Sequence, residues 1–338
     1  MPAELNSAPL TIPDPIYGPV MISEPVLVAL LKTTAVQRLG GVLQHGITGL
    51  IGVSGTTTRL AHSVGVMALV RRLGGSLAEQ VAALLHDVSH TAMSHVIDYV
   101  YQQPDEQSYH EEMKGWYLEQ SDIPPVLARH GWAWQDFLPD EPYPLLEQPA
   151  PALCADRVDY FLRDGVEMGL LTPAQVGLIL DHLLVVQNRI VVDQLEVARL
   201  MAYTYIAADE ASWASFREVA LYELTARAIQ TGLELGVITE ADFWGVDQAL
   251  WDKLNAAPDA ALQKWLPWIS VNSQFEWDEA RPTFWVSSKI RTIDPDILIG
   301  RTLRPLSELD PAFAQVRQNY LATKQGRWPV RVVGFPAA

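Results

Sequence analysis

At 338 residues the chain is about twice a typical domain, so one large unit or two is the expectation; with 49% hydrophobic and 19% charged residues it is neither a disordered nor a collagen-like polymer. Forty Asp and Glu against 24 Lys and Arg give a formal charge of −16, the reverse of what grips a nucleic acid backbone, so nucleic acid is not an expected partner. One cysteine, Cys154, allows no intramolecular disulfide, the N-terminus lacks a basic and apolar leader, and Arg71, Asp87 or Asp181 interrupts every long apolar run. A cytoplasmic protein with no membrane partner is the reading.

Residues 1–25 carry Pro2, Pro9, Pro13, Pro15, Pro19 and Pro25 and read as an extended lead-in. Apolar residues then recur at three and four over residues 26–43, 59–73 and 77–88, with Gly74-Gly75 as a stop and Ser76 as an N-cap. After a proline-rich loop at 139–151, the pattern predicts helices at 153–168, 196–235 and 240–254. Residues 183–192 read as a small hairpin around Gln187-Asn188-Arg189, and 283–293 alternates like a strand that could pair with 330–335. The fold class is mainly α. A helical core at 26–170 is followed by a helical continuation at 171–270 that completes the pocket, and by a small α+β part at 271–338.

Five of the eight histidines fall between His62 and His110, where an even spread would put about one. In LLHDVSHTAMSH (84–95), His86 and His90 lie four apart, which on a helix is one face, and Asp87 projects about 100° round the same turn. His62, from the preceding antiparallel helix, reaches the same point, and Asp156 or Asp159 completes a His2Asp2 set. That mixture suits one divalent ion, Mn, Fe, Zn, Co, Ni or Mg, with a second metal possible beside it. His95 and Asp98, three apart, let a carboxylate orient an imidazole, and His110 follows after a polar segment.

His62, then His86-Asp87, then Asp156 resembles the H…HD…D signature of the HD-domain metal-dependent phosphohydrolases. The resemblance is strongest to the deoxynucleoside triphosphate triphosphohydrolase branch, which includes the SAM- and HD-domain enzyme of animals and its bacterial relatives. It rests on DPIYG (14–18), QRL (37–39), RLAHSVGV (59–66), HDVSHTAMSH (86–95) and DRVDYFLRD (156–164). KIRTIDP (289–295) is also similar to HD-domain proteins, with no chemistry attached to it. The resemblance implies an HD-domain helical core with a small β-containing C-terminal appendage and a homo-oligomer. It implies His62, His86, Asp87 and Asp156 on the metal, with Asp159 outside the ligand set. His90, His95, Asp98 and His110 match the acid/base and phosphate-contacting group. Arg59 would meet the phosphate nearest the sugar, Gln44, Tyr160 and Asp164 would hold the deoxyribose, and Arg157 stands where a lysine is usual. His45, His130 and His182 have no motif around them and read as structural.

The expected reaction is hydrolysis of a nucleotide at the phosphate nearest the sugar, releasing inorganic triphosphate from a deoxynucleoside triphosphate. Residues 200–217 offer Tyr203, Tyr205, Asp209, Glu210 and Trp213, acids where triphosphate binding would recruit bases. A nucleoside monophosphate or another small phosphate ester therefore stays open as substrate. An HD-type di-iron oxygenase and a non-catalytic HD scaffold are the alternatives of other classes.

Overall fold

The structure is a computed structural model and describes residues 9–334; residues 1–8 of the lead-in and Phe335 of the expected last strand lie outside them. The proline-rich start is an antiparallel hairpin, β1 (Leu10–Asp14) and β2 (Gly18–Ile22). Asp14 turns it: its Oδ1 accepts from the backbone N–H of Ile16 and Tyr17 at 2.8 and 2.9 Å, and Gly18 takes the positive φ.

The periodic stretch at 26–43 is broken into α1 (Pro25–Leu30), α2 (Thr34–Arg38) and a 3₁₀ turn at Leu39–Gly41. Thr33 makes the break, donating its hydroxyl to Leu30 O at 2.6 Å while accepting from Val36 N–H as the N-cap of α2. After α3 (Ile47–Leu50) comes α4 (Arg59–Arg72), capped by Thr58 and buried on almost every side. It is the central helix, with α5 (Leu77–Leu85), capped by Ser76, and α9 (Ala155–Glu167) packed against it. Between them run α6 (Val96–Val100), α7 (Tyr109–Gln120) and α8 (Pro124–Arg129).

Beyond α10 (Pro173–Asp181) the expected hairpin forms as β3 (Leu183–Val186) and β4 (Arg189–Val192). Gln187 and Asn188 both hold positive φ, the backbone a two-residue hairpin turn needs. The helical pattern at 196–235 is two helices, α11 (Leu195–Ala208) and α12 (Phe216–Glu234), split by a single π turn at Asp209–Trp213. Then follow α13 (Asp247–Ala256), α14 (Ala260–Gln263), β5 (Phe275–Trp277), β6 (Phe284–Val286), β7 (Asp296–Ile299), β8 (Thr302–Pro305), α15 (Leu306–Leu309), α16 (Pro311–Lys324) and β9 (Trp328–Val332). β9 pairs antiparallel with β5 and β6, as the pattern predicts for β6, and β7 joins β4 in parallel to make a sheet of order β3-β4-β7-β8. Only residues 284–286 of the expected strand at 283–293 are a strand; the backbone then leaves the ladder and runs irregularly to β7.

The apolar interior falls into two clusters. One holds α1, α4, α5, α9 and α11, with Leu69, Leu84, Phe161 and Tyr205 among its buried residues. The other forms around α12, with Met93, Val96 and Ile97 of the α6 region, Phe243 of a 3₁₀ turn and the β5-β9-β6 sheet. Among the described residues no helix is long and apolar enough to cross a membrane.

Candidate functional site

α5 stops at Leu85, so His86 and Asp87 do not continue its face as the spacing predicts. They sit on a tightened turn in which Val88 N–H reaches Leu85 O and His90 N–H reaches Asp87 O. The turn aims His86 at His62 of α4: their Nε2 atoms are 3.2 Å apart. Asp156, in the first turn of α9, puts Oδ1 at 2.9 Å from His62 Nε2 and 3.5 Å from His86 Nε2, while Asp87 lies 3.4 Å from His86 and 3.8 Å from His62.

The outer nitrogens fix which way these rings face. His62 Nδ1–H donates to Asp159 Oδ2 at 2.7 Å and His86 Nδ1–H to Ala83 O at 2.7 Å. Both Nε2 atoms are then left as acceptors, turned toward each other and toward two carboxylates. Such a ring of lone pairs is repulsive until a positive charge enters it. Burial alone would depress His62, yet its bonds to Asp156 and Asp159 pull it up to about 10, and His86 is raised too because, against its burial, Asp87 and Asp156 together favour the proton. Asp156 falls below the usual carboxylate range, its bonds to His62 and His86 overcoming burial. A proton is the stand-in for a cation here, and a His2Asp2 donor set fits a divalent transition-metal ion. Asp159 works from behind: it also accepts from Arg163 Nε, whose Nη2 reaches Asp14 Oδ2, both at 2.7 Å, tying the β1–β2 hairpin to His62.

The loop at 86–95 is strapped in place. Arg38 donates to the carbonyls of Val88 and His90, and Asp247 accepts from Leu43 N–H and Met93 N–H at 2.8 and 2.7 Å. Met93 and Ser94 both hold positive φ, strain that these bonds and the Ser94 hydroxyl to Leu43 O offset. The loop delivers a group of three imidazoles. His90 stacks on His110 with centroids 3.8 Å apart, and His95 stands edge-on to both. Asp98 joins them, accepting from His95 Nδ1–H at 3.0 Å and from Tyr109 N–H, just before His110, at 3.1 Å. Burial and then the Arg59 guanidinium push His90 down to about 3 and His95 well below its ordinary value; burial and then the two neighbouring imidazoles do the same to His110. All three are neutral near pH 7. Asp98 is raised to about 6 by burial against the Tyr109 hydrogen bond, and is ionised there.

A cavity of about 370 Å³ opens over both groups. Its far wall is Tyr160 of α9, Tyr205 of α11 and Trp213, with the two tyrosine hydroxyls bonded to each other and Trp213 edge-on to Tyr160 at 5.0 Å. Asp164 closes this wall, accepting from Trp213 Nε1–H at 2.7 Å and from His45 Nε2 at 3.1 Å. Burial would depress His45, but Asp164 raises it to about 9, a charged pair. Gln44 lines the same cavity, and its buried Oε1 has no hydrogen-bond partner among the described residues.

Residues 59–164 match the HD domain family. Over 329 residues, 95% of the chain and 94% of the relative, the protein is 39% identical to metal-dependent phosphohydrolase cns2 of Cordyceps militaris. The chain belongs to the HD-domain metal-dependent phosphohydrolases. This phosphohydrolase is also 38% identical to the uncharacterized protein YdhJ of Bacillus subtilis over 86% of its own length and 89% of that relative. Its fold is shared with the crystal structure of a hypothetical protein from Aquifex aeolicus, at a TM-score of 0.72 and 19% identity over 94% of this chain and 99% of that one.

Two residues of the expected substrate group are otherwise engaged in the phosphohydrolase. Arg59 is locked by its Nη1–H to Asp87 at 2.7 Å, and Arg157 holds the carbonyl of Ala152 at 2.6 Å and Glu147 at 3.3 Å at the cavity edge. Asp209, whose acid looked out of place for phosphate binding, is fully buried; its carboxylate accepts from Arg291 N–H and the Tyr320 hydroxyl. Sequence reasoning missed His45, Tyr222 and the C-terminal residues Lys289, Arg291 and Arg317, all of which line the cavity. His45 sits beside Gln44, and KIRTIDP was the available signal for Lys289 and Arg291; Tyr222 and Arg317 stand outside every motif.

Proposed function

We propose that this phosphohydrolase acts on nucleotides, deoxynucleoside triphosphates first among them, by attack of water on the phosphate nearest the sugar. The observation that carries it is the continuity of the cavity. Asp87 and Asp156 of the His2Asp2 set, three neutral imidazoles and an aromatic wall ending in a paired carboxylate line one space of a size for a small ligand. A divalent ion held by His62, His86, Asp87 and Asp156 would polarise a phosphoryl oxygen and bring the pKa of water at the site toward neutrality.

The chain's own residues supply the rest. Asp98 holds His95 by Nδ1–H, leaving Nε2 turned out as a proton acceptor, and the His90–His110 stack presents a second imidazole edge beside it. These rings are neutral because they are buried near Arg59; a bound phosphate opposes that field and favours the proton that the leaving oxygen will need. Tyr160 and Trp213 exclude water from the sugar side, and the remaining lone pairs of Asp164 suit a sugar hydroxyl. A second reading, a nucleoside monophosphate or another small phosphate ester, is favoured by one fact: Arg59 is committed to Asp87.

Product analysis separates the two. Inorganic triphosphate released from a deoxynucleoside triphosphate supports the first; single phosphate released from monophosphates alone supports the second. His86→Ala should strip the metal and abolish either reaction, and Asp164→Ala should lower kcat/KM by roughly 10- to 100-fold if a sugar hydroxyl rests there. Full metal with every nucleotide inert would sink the nucleotide reading.

A further inference from the structure

We infer that the C-terminal cations Lys289, Arg291 and Arg317 are the anion-gripping wall of the pocket and contact phosphate oxygens of the ligand. The inference rests on the phosphate-ester reading above. In a chain of net charge −16 with 24 Lys and Arg, Arg59, Arg157, Lys289, Arg291 and Arg317 all converge on this cavity.

Two of the five are neutralised: Arg59 by Asp87 and Arg157 by Glu147. The side-chain nitrogens of the other three have, among the described residues, no carboxylate oxygen within 4.0 Å, although Glu111 shares the cavity. The hydrogen bonds these side chains make go only to neutral acceptors. Lys289 Nζ reaches Glu106 O at 3.2 Å, Arg291 reaches Lys289 O and the Gln107 side chain, and Arg317 Nε reaches Thr292 Oγ1 at 3.0 Å. Arg291 Nε and both terminal nitrogens of Arg317 make no hydrogen bond among the described residues, so several N–H groups remain to be satisfied. Gathering unpaired cations in a partly desolvated pocket is unfavourable unless an anion joins them.

The backbone explains how they arrive. Past β6 the chain gives up its ladder, and Arg291 N–H is captured instead by Asp209 at the π turn that also carries Trp213. Arg291 is then clamped to Gln107, three residues before the histidine stacked on His90. Phosphate is the anion this geometry suits, because forked guanidinium donors match its oxygens.

The test is calorimetric binding of orthophosphate and inorganic tripolyphosphate to the full chain loaded with Mn²⁺, in excess Mg²⁺. The Lys289→Gln, Arg317→Gln double variant, which spares Arg291 and its structural bonds, should lose roughly 10- to 100-fold in affinity for tripolyphosphate with Mn content and Tm retained. Arg291→Gln should do the same if it folds. A loss confined to tripolyphosphate puts the cations on phosphates beyond the one at the metal; an equal loss for both anions puts them on the phosphate at the metal. Unchanged affinity for both anions in the double variant, or a wild-type chain that binds neither, overturns the inference. A chain that grips the anions through these residues yet hydrolyses no nucleotide keeps the inference and defeats the nucleotide reading.

Discussion

His110 reaches the site by stacking on His90, while His62, His86, Asp87 and Asp156 surround a different point. Removing its ring takes away a group proposed to transfer a proton and leaves that ring of donors intact. His110→Ala should therefore lower turnover by roughly 10²- to 10⁴-fold with the metal retained; equal loss of metal would make His110 a ligand, with Asp87 and His90 as its neighbours. His45 gives the pH dependence. Its folded pKa of about 9 lies above the ordinary 6.5 because of Asp164, so the pair's stabilisation is complete below about pH 6.5 and is lost as pH rises through about 9. An imidazole NMR titration of His45 should find a midpoint well above 7, and the Tm of His45→Asn should change less than that of wild type between pH 6.5 and 9. A midpoint below 7 would contradict the charged pair. At this scale the histidines between 62 and 110 were legible because several chemical types recur at short spacing. His45 was not, because its partner Asp164 is more than a hundred residues away and no local pattern links them.

Among the elements, α4 has to pass its neighbours very closely. A Cβ on Gly65 would stand 1.9 Å from Arg163 Nη2 and 2.1 Å from Asp159 Oδ1, the groups that fix the His62 ring. Gly65→Ala should cost roughly 2–4 kcal/mol, by overpacking and by prising apart a buried ion pair, and should weaken metal retention as well. Thermal unfolding with metal analysis checks both; a variant of wild-type Tm and full metal would show that α9 yields more easily than its packing implies. Helix identity was legible wherever a cap preceded a long apolar period, as Thr58 and Ser76 precede α4 and α5. It failed where a side chain competed with the backbone: Thr33 ends α1, and Asp209 draws residue 291 out of the strand that its alternation predicts. Both depend on hydrogen bonds that apolar periodicity does not register.

For the whole molecule, the two apolar clusters set the terms. Those under α4, α5 and α9 carry the four donors that face one another, whereas α6, with His95 at its N-terminus and Asp98 in its first turn, is packed on α12 in the other. The site is a seam. Residues 59–164 contain the five clustered histidines but lack His45, Trp213 and the C-terminal cations that line the cavity, and Asp247 that braces the loop at 86–95. The two clusters are separate packing units, and partial denaturation tests whether they open together. If the α12 cluster opens first in urea, turnover will vanish while the ion is still held, giving a protein that is loaded but inert. Simultaneous release of metal and loss of activity across the whole urea range would mean that the seam transmits unfolding in both directions, and that the two halves rise and fall as one cooperative body.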